Sequence, residues 1–231
     1  MESTQDRGRP HSLSIAVLET TLNKKYSSII KKVVPMAKEA HGESLRKNTD
    51  EPYILHVLRV GVILYKLDAD EYVIAGGVLH GVLEHTTWKK DYLTELLNEI
   101  LAPSTVRNIF GYISAVIEYF EGKILWKERK DIYLRRQRLT SDNALLIIFA
   151  DKLDILASLA ADFQKRGQDM WQTLSTHDDS SRRERYEHYY GLYQLFKKRF
   201  CSKDNIYPYF KEYETHLNTL FPGFMSGSKP S

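Results

Sequence analysis

Ala75-Gly76-Gly77-Val78-Leu79-His80-Gly81-Val82-Leu83-Glu84-His85-Thr86 is the stretch on which the reading of this 231-residue chain turns. Read as an α-helix, which advances ~100° per residue, it places His80, Gly81, Glu84 and His85 within one arc of ~140°. Val78, Leu79, Val82 and Leu83 take the remaining circumference and suit a packed core. Ionisable groups on such a helix are costly to bury unless they are paired or bind something, so the polar arc marks a candidate site. Glycine in a helix interior costs ~1 kcal/mol relative to alanine, so folding gives no reason for Gly81.

Outward from this stretch the chain reads as helices. On the N-terminal side, a helical run from Ser12 ends near His41-Gly42, with Pro35 as a kink. A polar connection over 43–51 carries Arg46 and Lys47, and Pro52 suits the first turn of a helix reaching about Lys66. On the C-terminal side, helices are expected over Lys90–Leu101, Pro103–Phe120 and the highly charged surface segment Trp126–Arg138. Ser141 or Asp142 caps a helix, Ala144–Phe163, whose opening Leu145-Leu146-Ile147-Ile148-Phe149-Ala150 is nearly all apolar. Residues 165–180 read as a loop with a short helix around Met170 and Trp171. Two aromatic-rich helices, Arg182–Phe200 and Tyr207–Phe221, follow, and their aromatics suit a core. No alternating strand, internal repeat or Gly-rich phosphate loop is present. The expectation is an all-α protein of about ten helices: one domain over 12–222, with loose tails at 1–11 and 223–231.

Composition narrows the function. Hydrophobic residues are 42% and charged residues 27%, ordinary for a globular chain. A net charge of +3 is too small for a nucleic-acid surface, so no DNA or RNA partner is expected. A single cysteine, Cys201, excludes an intramolecular disulfide and suits a reducing compartment. With no bilayer-spanning apolar run and no secretory signature in the first residues, a cytoplasmic setting without membrane contact is expected.

Three ionisable residues stand in apolar surroundings: His56 within Tyr53-Ile54-Leu55-His56-Val57-Leu58, His80, and Asp151 after Leu145-Leu146-Ile147-Ile148-Phe149-Ala150. Singly, each histidine suits a hydrogen-bonded core residue, and Asp151 suits an ion pair. Together, two imidazoles and a carboxylate suit a first-row divalent metal with open coordination positions.

These segments carry a resemblance. Arg46-Lys47 followed by Glu51-Pro52-Tyr53-Ile54-Leu55-His56, then the stretch from Val78 to Thr86, then Phe149-Ala150-Asp151-Lys152-Leu153 resemble the HD-domain phosphohydrolases. The similarity is greatest to the hydrolase domain of RelA/SpoT proteins and to the small alarmone hydrolases. It extends over about residues 25–220, through Trp126-Lys127-Glu128-Arg129-Lys130 and Arg185-Tyr186-Glu187-His188-Tyr189-Tyr190. The resemblance implies a metal ion, usually manganese, on His56, His80 and Asp151. It implies that Glu84 and His85 place the attacking water, and that Arg46, Lys47 and the polar Ser158 face a nucleotide. The implied reaction removes pyrophosphate from the 3′ position of guanosine tetra- or pentaphosphate.

The departures from the family pattern fall on the chemistry. Gly81 stands where the His-Asp pair has its metal-binding carboxylate, His85 where the following acidic pair has its second acid, and Ile155 where an asparagine is expected. A hydrophobe cannot replace an amide's hydrogen bonds. His85 lies one turn beyond Gly81 on the same face and offers a third imidazole, which would suit zinc. The alternatives are a metal-free relic of the pocket and a pseudo-enzyme that binds a nucleotide or a protein in a regulatory role. A homo-oligomer is left open.

Overall fold

The computed structural model describes residues 14–23, 28–46, 49–118, 124–177 and 180–224. The expected tail 1–11, most of the tail 223–231 and the candidate residue Lys47 lie outside them. Among the described residues there are twelve α-helices and no strand, as the all-α reading required. The count exceeds ten because two expected helices are each divided. The run expected over 12–41 forms α1 (Ile15–Asn23) and α2 (Ser28–His41), and the stretch read as one helix over 75–86 forms two.

The chain divides into two compact units: Met1–Ile117 with Leu146–Asp151, and Glu118–Leu145 with Lys152–Ser231. In the first, α2 is followed by α3 (Tyr53–Lys66), α4 (Glu71–Leu79), α5 (Val82–His85), α6 (Lys90–Asn98) and α7 (Pro103–Val116). Pro52 is the residue before α3 rather than its first helical residue. Asp70 caps α4 by accepting the Tyr72 N–H at 2.8 Å. Helices α3 and α4 are buried along nearly all of their length, and α4 also packs on α2 and α7. Their close approach depends on glycine: a Cβ on Gly77 would stand 2.3 Å from Leu64 Cδ1, and one on Gly61 2.8 Å from Val78 Cγ2. Each fully buried Leu, Ile or Val of this core contributes ~1.5–3 kcal/mol.

Helix α9 (Asp142–Arg166) starts at Ser141, whose hydroxyl accepts the Ala144 N–H. It gives the first unit its wholly buried segment Leu146–Asp151. A helix that is apolar all round belongs in a core, so Asp151 is carried into the interior by its neighbours.

The second unit holds the rest of α9 with α8 (Trp126–Gln137), α10 (Gln168–His177), α11 (Arg182–Phe200) and α12 (Tyr207–Leu220). Segment 165–180, expected to be mostly loop, is instead largely helical, with Met170 buried on α10. Segment 126–138 is less superficial than its charge suggested, for Trp126, Tyr133 and Gln137 are buried. The aromatic residues of α11 and α12 do form a core, with Tyr189, Tyr193, Phe196, Phe200, Phe210 and Tyr213 buried. No helix among the described residues is long and apolar enough to cross a membrane.

Candidate metal centre

Local structure at His80 follows from its own side chain. In a continuing helix the Gly77 carbonyl would accept the Gly81 N–H. Here it lies 2.6 Å from His80 Nδ1. A carbonyl has no proton to give, so the imidazole donates, which fixes its proton on Nδ1 and presents Nε2 as a lone pair. Helix α4 ends at Leu79, His80 and Gly81 form a turn, and the single turn of α5 follows. Gly81 is therefore not in a helix interior, although its backbone angles remain helical.

His56, His80 and Asp151 come from three helical segments and meet in the interior of the first unit, each less than 5% exposed. His56 Nε2 lies 3.3 Å from His80 Nε2 and 3.2 Å from Asp151 Oδ1, and His80 Nε2 lies 3.7 Å from the same oxygen. Donors sharing one ion at ~2.1 Å with angles of 90–120° are separated by ~3.0–3.6 Å. Two of the three separations fall in that range and the third, 3.7 Å, stands just beyond it, while the hydrogen bond from His80 to Gly77 supplies the outer support such ligands need.

Glu84 and His85 stand elsewhere. Their side chains are 38% and 41% exposed, with His85 Nε2 3.7 Å from Glu84 Oε2. The His85 ring lies over Tyr53, 4.6 Å between centroids, and outside the three-donor group. Arg46 donates to Glu51 at 3.3 Å. Glu51 also accepts a two-pronged contact from Arg59, at 2.7 and 2.8 Å. Burial alone would raise the Glu51 carboxyl. The bonds and charge of Arg59, joined by those of Arg46, outweigh it and hold the group below its ordinary range. Ser158 is half-buried on the part of α9 that belongs to the second unit and is described with it.

Two residues escaped the sequence reading. Arg59 is 1% exposed inside an apolar helix. His41, the last residue of α2, is 2% exposed, and neither ring nitrogen has a hydrogen-bond partner. Burial, with the fields of His80, His85 and His56, lowers its pKa from 6.5 to about 4. A histidine one residue before a glycine at a helix end reads as an ordinary stop signal, which hid it.

Comparison with known proteins bears on the family and the fold. The HD domain family model matches residues 34–179. The guanosine-3′,5′-bis(diphosphate) 3′-pyrophosphohydrolase of Aquifex aeolicus is 32% identical over 133 residues, 56% of this chain and 18% of that protein. The Drosophila melanogaster enzyme of the same name, MESH1, is 32% identical over 123 residues, 52% of this chain and 63% of that protein. The chain thus spans less than two thirds of the length of either relative. Among solved structures, a metazoan ortholog of SpoT described as hydrolysing ppGpp superposes with a TM-score of 0.59 at 21% identity, covering 84% of this chain and 98% of that one. A buried His-His-Asp group inside an all-α unit, with the family match across it, places this chain in the HD-domain family.

Proposed function

We propose that the first unit is a metal-dependent phosphohydrolase centre acting on a guanosine nucleotide that carries a 3′-pyrophosphate. The convergence of His56, His80 and Asp151 carries this reading, and the names of the similar Aquifex and Drosophila proteins support the substrate class. His56, His80 and Asp151 would hold a divalent ion, which would supply Lewis acidity toward water and the phosphoryl oxygens. Water adds to phosphorus, the bond from phosphorus to the 3′ oxygen breaks, and pyrophosphate leaves behind a 3′-hydroxyl.

The chain's own groups divide the remaining work. The bond from His80 Nδ1 to the Gly77 carbonyl leaves Nε2 as the nitrogen turned to the ion, and the Asp151 carboxylate supplies the negative charge that holds a cation in an apolar interior. Glu84, exposed one turn beyond His80, takes a proton from water or orients it, with His85 beside it. Arg46, Lys47 and Ser158 are assigned to the nucleotide by resemblance, and Arg46 must share its charge with Glu51.

Gly81 favours a second reading, in which the site binds the nucleotide without turning it over, because one carboxylate of the family pattern is missing. Purified protein is to be tested for pyrophosphate release from guanosine tetraphosphate with manganese, zinc, cobalt and magnesium in turn. Turnover that His56→Ala abolishes supports the first reading. Calorimetric binding without turnover supports the second, and neither binding nor turnover sinks both.

A further inference from the structure

The space beside Gly81 is filled by two rings. A Cβ built there would lie 2.9 Å from Tyr53 Cε1, 3.3 Å from His41 Cε1 and 3.4 Å from the Tyr53 hydroxyl. His41 and Tyr53 are stacked, 4.7 Å between centroids with planes 20° apart, and Tyr53 turns its edge to His56 at 5.4 Å. Helix α2 packs against α4 and α5, which holds its last residue beside the His80–Gly81 turn. Gly42, with φ +50°, ends the helix immediately after His41 and leaves that ring directed inward.

A buried imidazole with neither nitrogen paired is uncommon and calls for an explanation. His41 lies in the space opened by the lost side chain at position 81, next to the three donors already gathered. Its nitrogens fall outside the group whose donor atoms are all within 4.8 Å of one another, so joining that group requires the ring to turn toward it. With glycine at position 81 no side chain there stands between the His41 ring and that turn, whereas a Cβ would stand 3.3 Å from its Cε1.

We propose that His41 is the fourth protein ligand of this metal site, an imidazole in the role of the missing carboxylate. This rests on the metal-centre reading above. The donor set becomes three imidazoles and one carboxylate, one negative charge poorer than two imidazoles with two carboxylates. Nitrogen-rich sets favour zinc and cobalt over manganese, both by ligand type and by the general affinity order of divalent ions. His41, rather than the exposed His85, supplies the third ring.

The test uses the full chain, stripped with a chelator and reloaded with zinc or with cobalt. X-ray absorption at the zinc edge counts the imidazoles on the ion: three are expected, and two would overturn the proposal without any variant being made. In parallel, His41→Ala and the more conservative His41→Gln are expected to lower zinc affinity by roughly tenfold or more and to shift the visible cobalt bands. Unchanged affinity and unchanged bands in both variants would also overturn it. His56→Ala separates the two levels of inference. If the unmodified chain binds no zinc or cobalt, or if His56→Ala binds as well as it does, the metal-centre reading itself fails.

Discussion

At position 81 the loss of a side chain is coupled to the placement of two others. Tyr53, a half-buried ring, lies so near that an added Cβ would force it to shift, and overpacking of this kind costs ~1–3 kcal/mol. Gly81→Asp alone is therefore expected to destabilise the protein by about that amount and to bring little gain in manganese binding. Combined with Tyr53→Ala, which clears the ring, the same aspartate is expected to strengthen manganese binding. Urea unfolding and manganese paramagnetic resonance measure the two effects, and a single Gly81→Asp variant that is stable and binds manganese tightly would contradict the packing argument. Glu51 is the second decisive residue. Arg59 is almost fully buried and donates through both terminal nitrogens to Glu51, so Glu51→Ala takes a two-pronged carboxylate contact from a buried cation. A loss of ~3 kcal/mol is expected from urea unfolding, and Glu51→Ala within 0.5 kcal/mol, roughly, of the unmodified chain would show the pair to be unimportant.

Among the elements, α3 and α9 were legible from their apolar runs, and His56 and Asp151 were legible as exceptions within them. The break after Leu79 was not, because it goes with the His80 ring donating to the Gly77 carbonyl three residues back, which periodicity does not encode. Helix α10 was obscured by polar composition, although Met170 ties it to a core. His41 was missed for a related reason: its neighbours in sequence are mostly exposed and polar, while the ring itself is buried against Tyr53. Helix α11 sets a pH test. His188 sits among Trp126, Tyr133 and Tyr189, and neither of its nitrogens is hydrogen-bonded. Burial, then the charges of Lys130, Lys152 and Arg185, holds its pKa well below the ordinary 6.5. The unfolded chain takes up a proton as pH falls through about 6.5 while the folded chain does not, so stability is greatest above that pH and declines below it. His41, at about 4, adds to the same slope. Melting temperatures between pH 8 and pH 5 are expected to fall, and His188→Phe is expected to flatten the decline. An unchanged slope in that variant would assign the decline to other groups.

For the whole molecule, class and lineage were readable because they depend on features spread along the chain: helical periodicity and a few short motifs in a fixed order. The family match spans residues 34–179, so it takes in residues of both compact units. Present activity was less readable because it depends on single positions, above all Gly81. If the centre holds an ion, the ion binds the folded chain in preference to the unfolded one. Zinc at ~100 times its dissociation constant then adds ~2.7 kcal/mol. For a chain of this size that is a rise in melting temperature of roughly 5–10 °C. Calorimetric scans with zinc and with chelator measure it. A shift that persists in His56→Ala would place the ion somewhere else.

Tyr53 also bears on how such a site changes over generations. One base change converts two of the four glycine codons to aspartate, so from those codons an aspartate at position 81 is genetically near. With the tyrosine ring against that position, the revertant passes first through a less stable intermediate, and the advantage of the restored acid appears only after a second substitution. The packing acts as a ratchet: with Tyr53 in place, a change at position 81 toward an acid is opposed by the fold before it can serve the site.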